Sequence, residues 1–209
     1  MESILRKTII RLDDDVELHF SKVTKYNKFG CKAIFEDPFT KKIYDIMVLS
    51  KGLLQLNSYR EQLENNIRRF KSMNSKSLCQ IYSYTEDGDV LYIVCESEKY
   101  KLSDLVSKRE GLTEFEAIYF SLSMMEILTY LKSRNCLYQI IEFDEIYLSN
   151  LMRVSIPFSL WITYFDQGKY VPFRHQDRNS SICPEILSNS KSMTSIEDIN
   201  SWNIGAFIY

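Results

Sequence analysis

The chain is organised around residues Leu112 to Leu148, which read LTEFEAIYFSLSMMEILTYLKSRNCLYQIIEFDEIYL. Thr113 with Glu116 three residues later has the spacing of a capping box, which starts a helix. Apolar residues then recur at steps of three and four, as on one face of a helix. They are Phe115, Ile118, Leu122, Met125, Leu128 and Leu131. A long amphipathic helix is therefore predicted to lead into a polar break at residues 132–135.

The residues after the break carry a resemblance. Helix and loop together resemble the eukaryotic protein-kinase family, where a helix precedes His-Arg-Asp and an Asn follows that Asp five residues later. Tyr138, Gln139 and Ile140 stand here in the place of His-Arg-Asp, and Glu145 stands in the place of the Asn. In the family, the Asp orients the substrate hydroxyl and accepts its proton, and the Asn helps to hold magnesium. Ile140 has no lone pair, so the resemblance implies a loop without its base.

Composition limits the classes of function. The chain has 209 residues, of which 45% are hydrophobic, so it can build a core as one domain or two small lobes. Its 26 basic and 28 acidic residues give a net charge of −2, which predicts neither a nucleic-acid partner nor an anionic membrane. A protein or small-molecule partner is expected instead.

The cysteines and the apolar runs indicate the compartment. Five scattered cysteines form no CxxC pair, and two histidines are too few for an evident metal site. We therefore expect reduced thiols in an intracellular protein, cytoplasmic or nuclear. The longest apolar region, residues 154–165, is interrupted by Ser155, Pro157 and Thr163, so no membrane span is predicted, and the first residues lack the apolar core of a signal peptide.

The first half resembles a kinase small lobe. Strands are predicted at residues 16–20, 29–35 and 43–49. If Gly30 is the last glycine of the nucleotide loop GxGxxG, the first two positions fall on Lys25 and Asn27. The strand motif Val-Ala-Ile-Lys then places Asp45 at the alanine that packs on adenine and Met47 at the phosphate-binding lysine. Lys51 is the nearest alternative lysine.

A helix predicted over residues 59–72 carries Leu63, Ile67 and Phe70 on one face. In the resembling family this helix supplies a glutamate that pairs with the strand lysine, and the alignment places it at Asn66. Two strands follow, at residues 78–84 and 90–94. They end in Cys95 and Glu96, which resemble the gatekeeper and hinge.

The last third resembles the family's metal motif and its following helix. Residues 146–148 and 154–162 are predicted to pair as a hairpin that leads into Asp-Phe-Gly. Tyr164 then replaces the magnesium-binding Asp; in a shifted register Asp166 is the metal ligand. Residues 183–185 and 199–209 resemble Ala-Pro-Glu and the helix that begins Asp-Val-Trp-Ser.

The resemblance implies one α+β, kinase-like domain, with a β-rich N-lobe at residues 1–96 and a mainly helical, partial C-lobe at 97–209. Because the positions for ATP and magnesium have changed, no cofactor is expected, and the chain is predicted to be a pseudokinase that binds a protein, such as an active kinase. An apolar surface near Trp202 and Phe207 is the predicted interface. The alternatives are a divergent ATP- and magnesium-dependent Ser/Thr kinase using Lys51 or Asp166, a non-functional truncated relative, or an unrelated α/β domain.

Overall fold

A computed structural model describes residues 9–11, 16–56, 59–97, 100–138, 141, 143–149, 151–160, 162–164 and 196–208. The chain divides into two compact units, Met1–Ser97 and Glu98–Tyr209.

The described residues of the first unit form a six-stranded antiparallel sheet and two helices. Its strands are β1 (Ile9–Arg11), β2 (Glu17–Asn27), β3 (Gly30–Glu36), β4 (Ile43–Ser50), β5 (Ile81–Asp87) and β6 (Val90–Glu96), in the order β1-β2-β3-β4-β6-β5. Helices α1 (Lys51–Leu56) and α2 (Arg60–Lys71) lie between β4 and β5 in the sequence.

The two faces of this sheet differ. Because successive strand residues point to opposite faces, one face collects an apolar cluster. It comprises Ile10, Leu18, Cys31, Ala33, Phe35, Tyr44, Ile46, Val48, Val90, Tyr92 and Val94. The other face of β3, β4 and β6 carries the alternate residues, and among these Lys32, Asp45 and Cys95 are buried. This second face holds the predicted nucleotide positions.

The predicted strands of this unit form with two revisions. The strand predicted at residues 78–84 runs instead from Ile81 to Asp87. The alternating run at residues 16–20 was predicted as a short edge strand, whereas it is the start of the eleven-residue strand β2. Register shifts between Phe20 and Lys22 and between Val23 and Lys25 break its alternation, which is why the sequence pattern divided it. The outer edge is instead formed by β1, whose Ile10 pairs with Leu18.

The second unit is helical with short strands. Its elements are β7 (Tyr100–Lys101), α3 (Leu102–Arg109), α4 (Glu114–Ser133), β8 (Cys136–Tyr138), a 3₁₀ turn (Phe143–Glu145), β9 (Tyr147–Leu148), β10 (Val154–Ser155), β11 (Ile162–Tyr164) and α5 (Ile196–Ile208). The strands form two small sheets, β10-β9-β7 and β11-β8. Helix α5 packs on α4.

Helix α4 begins with the predicted capping box. The Thr113 hydroxyl accepts from the Glu116 N–H at 3.3 Å, and the Glu116 carboxylate accepts from the Thr113 N–H at 3.0 Å. The predicted apolar face is largely wrong: Phe115, Ile118, Leu122 and Met125 are exposed. The buried residues are Phe120, Met124, Ile127, Leu128 and Leu131. The helix is therefore apolar on two opposite faces, and among the described residues it is the face with Phe120 and Leu131 that is buried.

The hairpin after the loop is shorter than predicted. Strand β10 pairs with β9 only through Val154 and Ser155. Pro157 lacks the N–H that would continue the ladder. Residues 162–164 form the separate strand β11, whose Ile162 pairs with Tyr138 of β8. The long alternating strand predicted for residues 154–162 is therefore two elements with different partners.

Candidate functional site

The turn between β2 and β3 occupies the place of a kinase glycine loop. Phe29 in this turn is buried and stacks on Tyr59, with ring centroids 5.5 Å apart and an interplanar angle of 10°. The Phe29 N–H donates to Asn27 Oδ1 at 2.9 Å, and its carbonyl accepts from the Ser50 N–H at 2.8 Å. The turn is thus held by its own side chain and by backbone bonds.

Gly30 has a structural reason to be glycine. A Cβ at this position would overlap the carbonyl oxygen of Val48 and lie 3.1 Å from the Cα of Leu49 on the neighbouring strand β4. The close approach of β3 to β4 therefore excludes a side chain. This requirement accounts for Gly30 without a bound phosphate.

Met47 and Asn66 are the residues that the sequence alignment predicts at the family's lysine–glutamate pair. Both side chains are buried, with 7% and 3% of their surface exposed. Asn66 shares a side-chain hydrogen bond with Tyr59, while burial raises the pKa of the Tyr59 phenol. Neither position carries a charge. The partner of Asn66, Tyr59, is the residue directly before α2, the helix that contains Asn66. The two residues cannot form the ion pair that orients ATP in that family.

The alternative lysine, Lys51, is engaged elsewhere. It is the first residue of α1, and its Nζ lies 2.8 Å from Glu86 Oε2. Glu86 also contacts Arg60 at 3.0 Å. The hydrogen bond from Lys51 is the largest of the causes that hold the Glu86 carboxyl pKa below its usual value. Glu64, the acidic residue nearest to Asn66 on α2, pairs with Arg60 at 3.2 Å.

Asp45 has a partner that sequence reasoning missed. Lys32 Nζ lies 3.6 Å from Asp45 Oδ2, and the two side chains are 9% and 7% exposed. Lys32 faces Met47 in the β3–β4 register, so it reaches Asp45 diagonally across the two strands. A signal was present in the sequence, because Lys32 follows Gly30 at the spacing of the valine in GxGxxGxV. The predicted buried carboxylate is thus one half of a buried ion pair.

Cys95 and Glu96, the predicted gatekeeper and hinge residues, lie at the end of β6 beside Asp45 and Tyr44 of β4. Cys95 pairs with Asp45 in the β4–β6 register and is buried. Burial is the largest cause that raises the pKa of its thiol to about 12; nearby Lys32 lowers it and Asp45 raises it. The thiol is therefore protonated at neutral pH. Glu96 is half-buried, and its Oε2 accepts from the Gln80 N–H at 3.1 Å.

The loop positions of the second unit are packing positions. Tyr138 is 2% exposed, and its hydroxyl donates to the Pro157 carbonyl at 3.0 Å. Its own carbonyl accepts from Asn203 Nδ2 of α5 at 2.8 Å. Glu145 ends the 3₁₀ turn and is half-buried. Ile140 lies outside the described residues.

The metal-binding position stays a prediction, but the hairpin suggests another register for it. Tyr164 is the last residue of β11, and Asp166 lies outside the described residues. The strand that pairs with β9 ends at Ser155, well before Tyr164. If the metal motif directly follows this hairpin, it falls within residues 154–160. That run, Val-Ser-Ile-Pro-Phe-Ser-Leu, contains no carboxylate, and its Phe158 is fully buried.

Among the residues that the structure describes, no three His, Cys, Asp or Glu side chains are grouped so that they could hold a metal ion. No helix among the same residues is long and apolar enough to cross a membrane.

Comparison with known proteins identifies relatives. No protein-family model matches the chain. It is similar to the serine/threonine-protein kinase polo of Drosophila melanogaster, 24% identical over 201 residues that cover 91% of this chain and 33% of polo. It is also similar to the probable serine/threonine-protein kinase PLK of Dictyostelium discoideum, 25% identical over 178 residues, covering 81% of this chain and 17% of that protein.

A kinase from yeast is a third similar protein. The cell cycle serine/threonine-protein kinase CDC5/MSD2 of Saccharomyces cerevisiae is 23% identical over 188 residues, which cover 86% of this chain and 25% of that kinase. The chain spans a third or less of the length of these relatives. Matches over most of the chain to several kinases, together with its α+β architecture, lead to one conclusion: this protein is related to the eukaryotic protein-kinase superfamily and has a kinase-like fold.

Proposed function

We propose that this protein is a pseudokinase, a kinase-like protein that transfers no phosphate and acts by binding another protein. The observation that carries the proposal is the pair of buried, uncharged side chains Met47 and Asn66 at the positions of the family's lysine–glutamate pair. That ion pair must be in place for phosphoryl transfer in protein kinases. No ATP or magnesium is therefore expected as a cofactor.

The other changed positions support the same proposal. The lysine that could replace the lost one, Lys51, is bonded to Glu86. Ile140 offers no base in the loop, and positioned acid–base help is worth about two to four orders of magnitude in rate. Tyr138 is committed to packing between Pro157 and Asn203. Each of these residues has a structural role or lacks the chemistry that catalysis needs.

An exposed apolar face supports the protein-binding half of the proposal. Five apolar side chains of α4 are more than a third exposed, from Tyr119 at 42% to Phe115 at 79%. They are Phe115, Ile118, Tyr119, Leu122 and Met125. Apolar patches of this kind on a folded domain are commonly interaction sites. The predicted interface near Trp202 and Phe207 is a second candidate; Trp202 is 39% exposed, and the Phe207 side chain is outside the described set.

The buried thiols fit the proposed compartment. Cys31, Cys79, Cys95 and Cys136 are buried and form no disulfide. Cysteines outside disulfides are usual in reducing compartments, so we propose that the protein lies in the cytoplasm or nucleus. Its net charge of −2 offers no attraction to nucleic acid.

A phosphotransfer assay tests the catalytic half. The chain is incubated with labelled ATP, magnesium or manganese, and generic protein substrates, beside Asp166→Ala and the exposed control Asp104→Ala. We expect no transfer from any of the three. Transfer by the wild type and by Asp104→Ala that is lost in Asp166→Ala would establish the alternative, a divergent Ser/Thr kinase.

A matched pair of surface variants tests the binding half. Leu122 on α4 is 55% exposed, and Leu56 on α1 is 82% exposed. A protein that copurifies with the wild type should be lost with Leu122→Glu and retained with Leu56→Glu, measured by quantitative mass spectrometry. Equal recovery with both variants would remove α4 from the proposed interface.

A further inference from the structure

A buried ion pair occupies the part of the sheet where the kinase family packs adenine. Lys32 and Asp45 stand at the valine of GxGxxGxV and the alanine of Val-Ala-Ile-Lys. Both belong to the first unit and point to the same face of the sheet, where their side chains are 9% and 7% exposed. Their Nζ and Oδ2 atoms are 3.6 Å apart.

We infer that the Lys32–Asp45 ion pair is the element that excludes a nucleobase from this face, independently of the lost catalytic residues. The inference rests on the proposed function in assuming that the wild type binds no nucleotide. It goes further, since it assigns the exclusion to two residues that take no part in phosphate chemistry.

The exclusion has two physical causes. Lysine and aspartate are longer than valine and alanine, so they fill the space that a flat ring would need. A ring placed against the pair would also have to separate or cover two charges that already lack water. Separating the two partners would leave uncompensated buried charges, which is strongly destabilising. In the sheet, Asp45 faces Ile34 on β3 and Cys95 on β6.

The inference allows a gain-of-function test, because both charges can be removed together. Replacing a buried ion pair by apolar residues leaves no unpaired charge, and such replacements are often neutral or stabilising. The test variant is therefore Lys32→Val with Asp45→Ala. If circular dichroism shows that this variant is unfolded, Lys32→Thr with Asp45→Ser takes its place with the same expected result.

Two controls isolate the cause. The charge swap Lys32→Asp with Asp45→Lys keeps an ion pair on the same face, so this variant should not bind adenosine. The variant Glu36→Ala with Lys41→Asn removes an exposed pair, 3.3 Å apart, from the same hairpin, and should leave the response to adenosine unchanged. Asparagine is used because Lys41 has a φ of 59°, a conformation that asparagine tolerates.

The probe is adenosine, which has the base without the phosphates, and binding is measured by calorimetry and by thermal unfolding. At about 5 mM adenosine we expect the midpoint of the test variant to rise by about 2 °C or more, and those of the wild type and both controls to stay unchanged. A folded test variant without adenosine binding would overturn the inference and leave the proposed function standing. A rise in either control, or adenosine binding by the wild type, would also overturn it, and the phosphotransfer assay would judge the proposed function separately.

Discussion

Among the single residues, Gly30 is required by the packing of the backbone and not by phosphate binding. A side chain at Gly30 would meet the backbone of Val48, whereas a Cβ at Gly52 in α1 would meet only Ser50 Oγ at 3.8 Å. We expect Gly30→Ala to lower the free energy of unfolding by about 1–3 kcal/mol, the usual cost of overpacking. Gly52→Ala should be neutral or stabilising by up to about 1 kcal/mol, because alanine is the better helix former.

Urea denaturation of the two variants beside the wild type measures both changes. If Gly30→Ala were as stable as Gly52→Ala, the close contact between β3 and β4 would be wrong. The assignment of Gly30 to backbone packing would then fall with it.

The sequence predicted single residues better than it predicted their partners. It placed Asp45 and Met47 on one face of a strand, and both are buried there. It did not find Lys32, because a diagonal partner across two strands depends on the register between them. It likewise could not show that Asn66 bonds to Tyr59. The sequence gives the type of each residue, whereas the side chain that it contacts depends on the fold.

At the scale of elements, helix α4 shows how periodicity can select the wrong face. Because both faces are apolar, steps of three and four fit either one, and the pattern alone cannot decide which is buried. The capping box was predicted correctly because it is a local signal, set by two residues three positions apart. The hairpin after the loop was overextended for a similar reason: alternation continued in the sequence past the Pro157 interruption.

Two phenylalanines on α4 test the assigned face. Phe120 is 1% exposed and Phe115 is 79% exposed. We expect Phe120→Ala to cost about 3–5 kcal/mol of stability, since it leaves a cavity, and Phe115→Ala to change stability by about 0.5 kcal/mol or less. Chemical denaturation compares the two directly. The reverse ranking would restore the face that the periodicity favoured.

The capping box of α4 gives stability a dependence on pH. The backbone hydrogen bond from Thr113 is the largest cause that holds the Glu116 carboxyl pKa below its ordinary value of 4.5. A carboxyl whose folded pKa is lowered stabilises the fold above its unfolded pKa, and that stabilisation is lost as pH falls through the folded pKa.

The variant Glu116→Gln keeps the acceptor and removes the titration. Its stability deficit relative to the wild type should be greatest above about pH 5 and shrink below about pH 4. Urea midpoints measured across this range provide the test. A deficit that is constant, or that grows on acidification, would show that the charge of Glu116 does not contribute.

At the scale of the whole molecule, the order of elements was predictable and the state of the site was less so. Turns, caps and hairpins are local signals, and their order along the chain gave the kinase-like, α+β architecture that the polo comparison supports. The metal motif was harder to place, because its register depends on which strand pairs with β9. The structure replaces one predicted hairpin by the pairs β9–β10 and β8–β11.

We propose that this chain keeps a kinase-like fold but binds no nucleotide, and thermal unfolding of the wild type with Mg·ATP tests this proposal. A ligand that binds only the folded state raises the unfolding midpoint, and magnesium tripolyphosphate controls for ionic effects. We expect one cooperative transition that about 5 mM Mg·ATP moves by less than about 0.5 °C. A rise of about 2 °C or more, absent with tripolyphosphate, would contradict it and show that the nucleotide site is open.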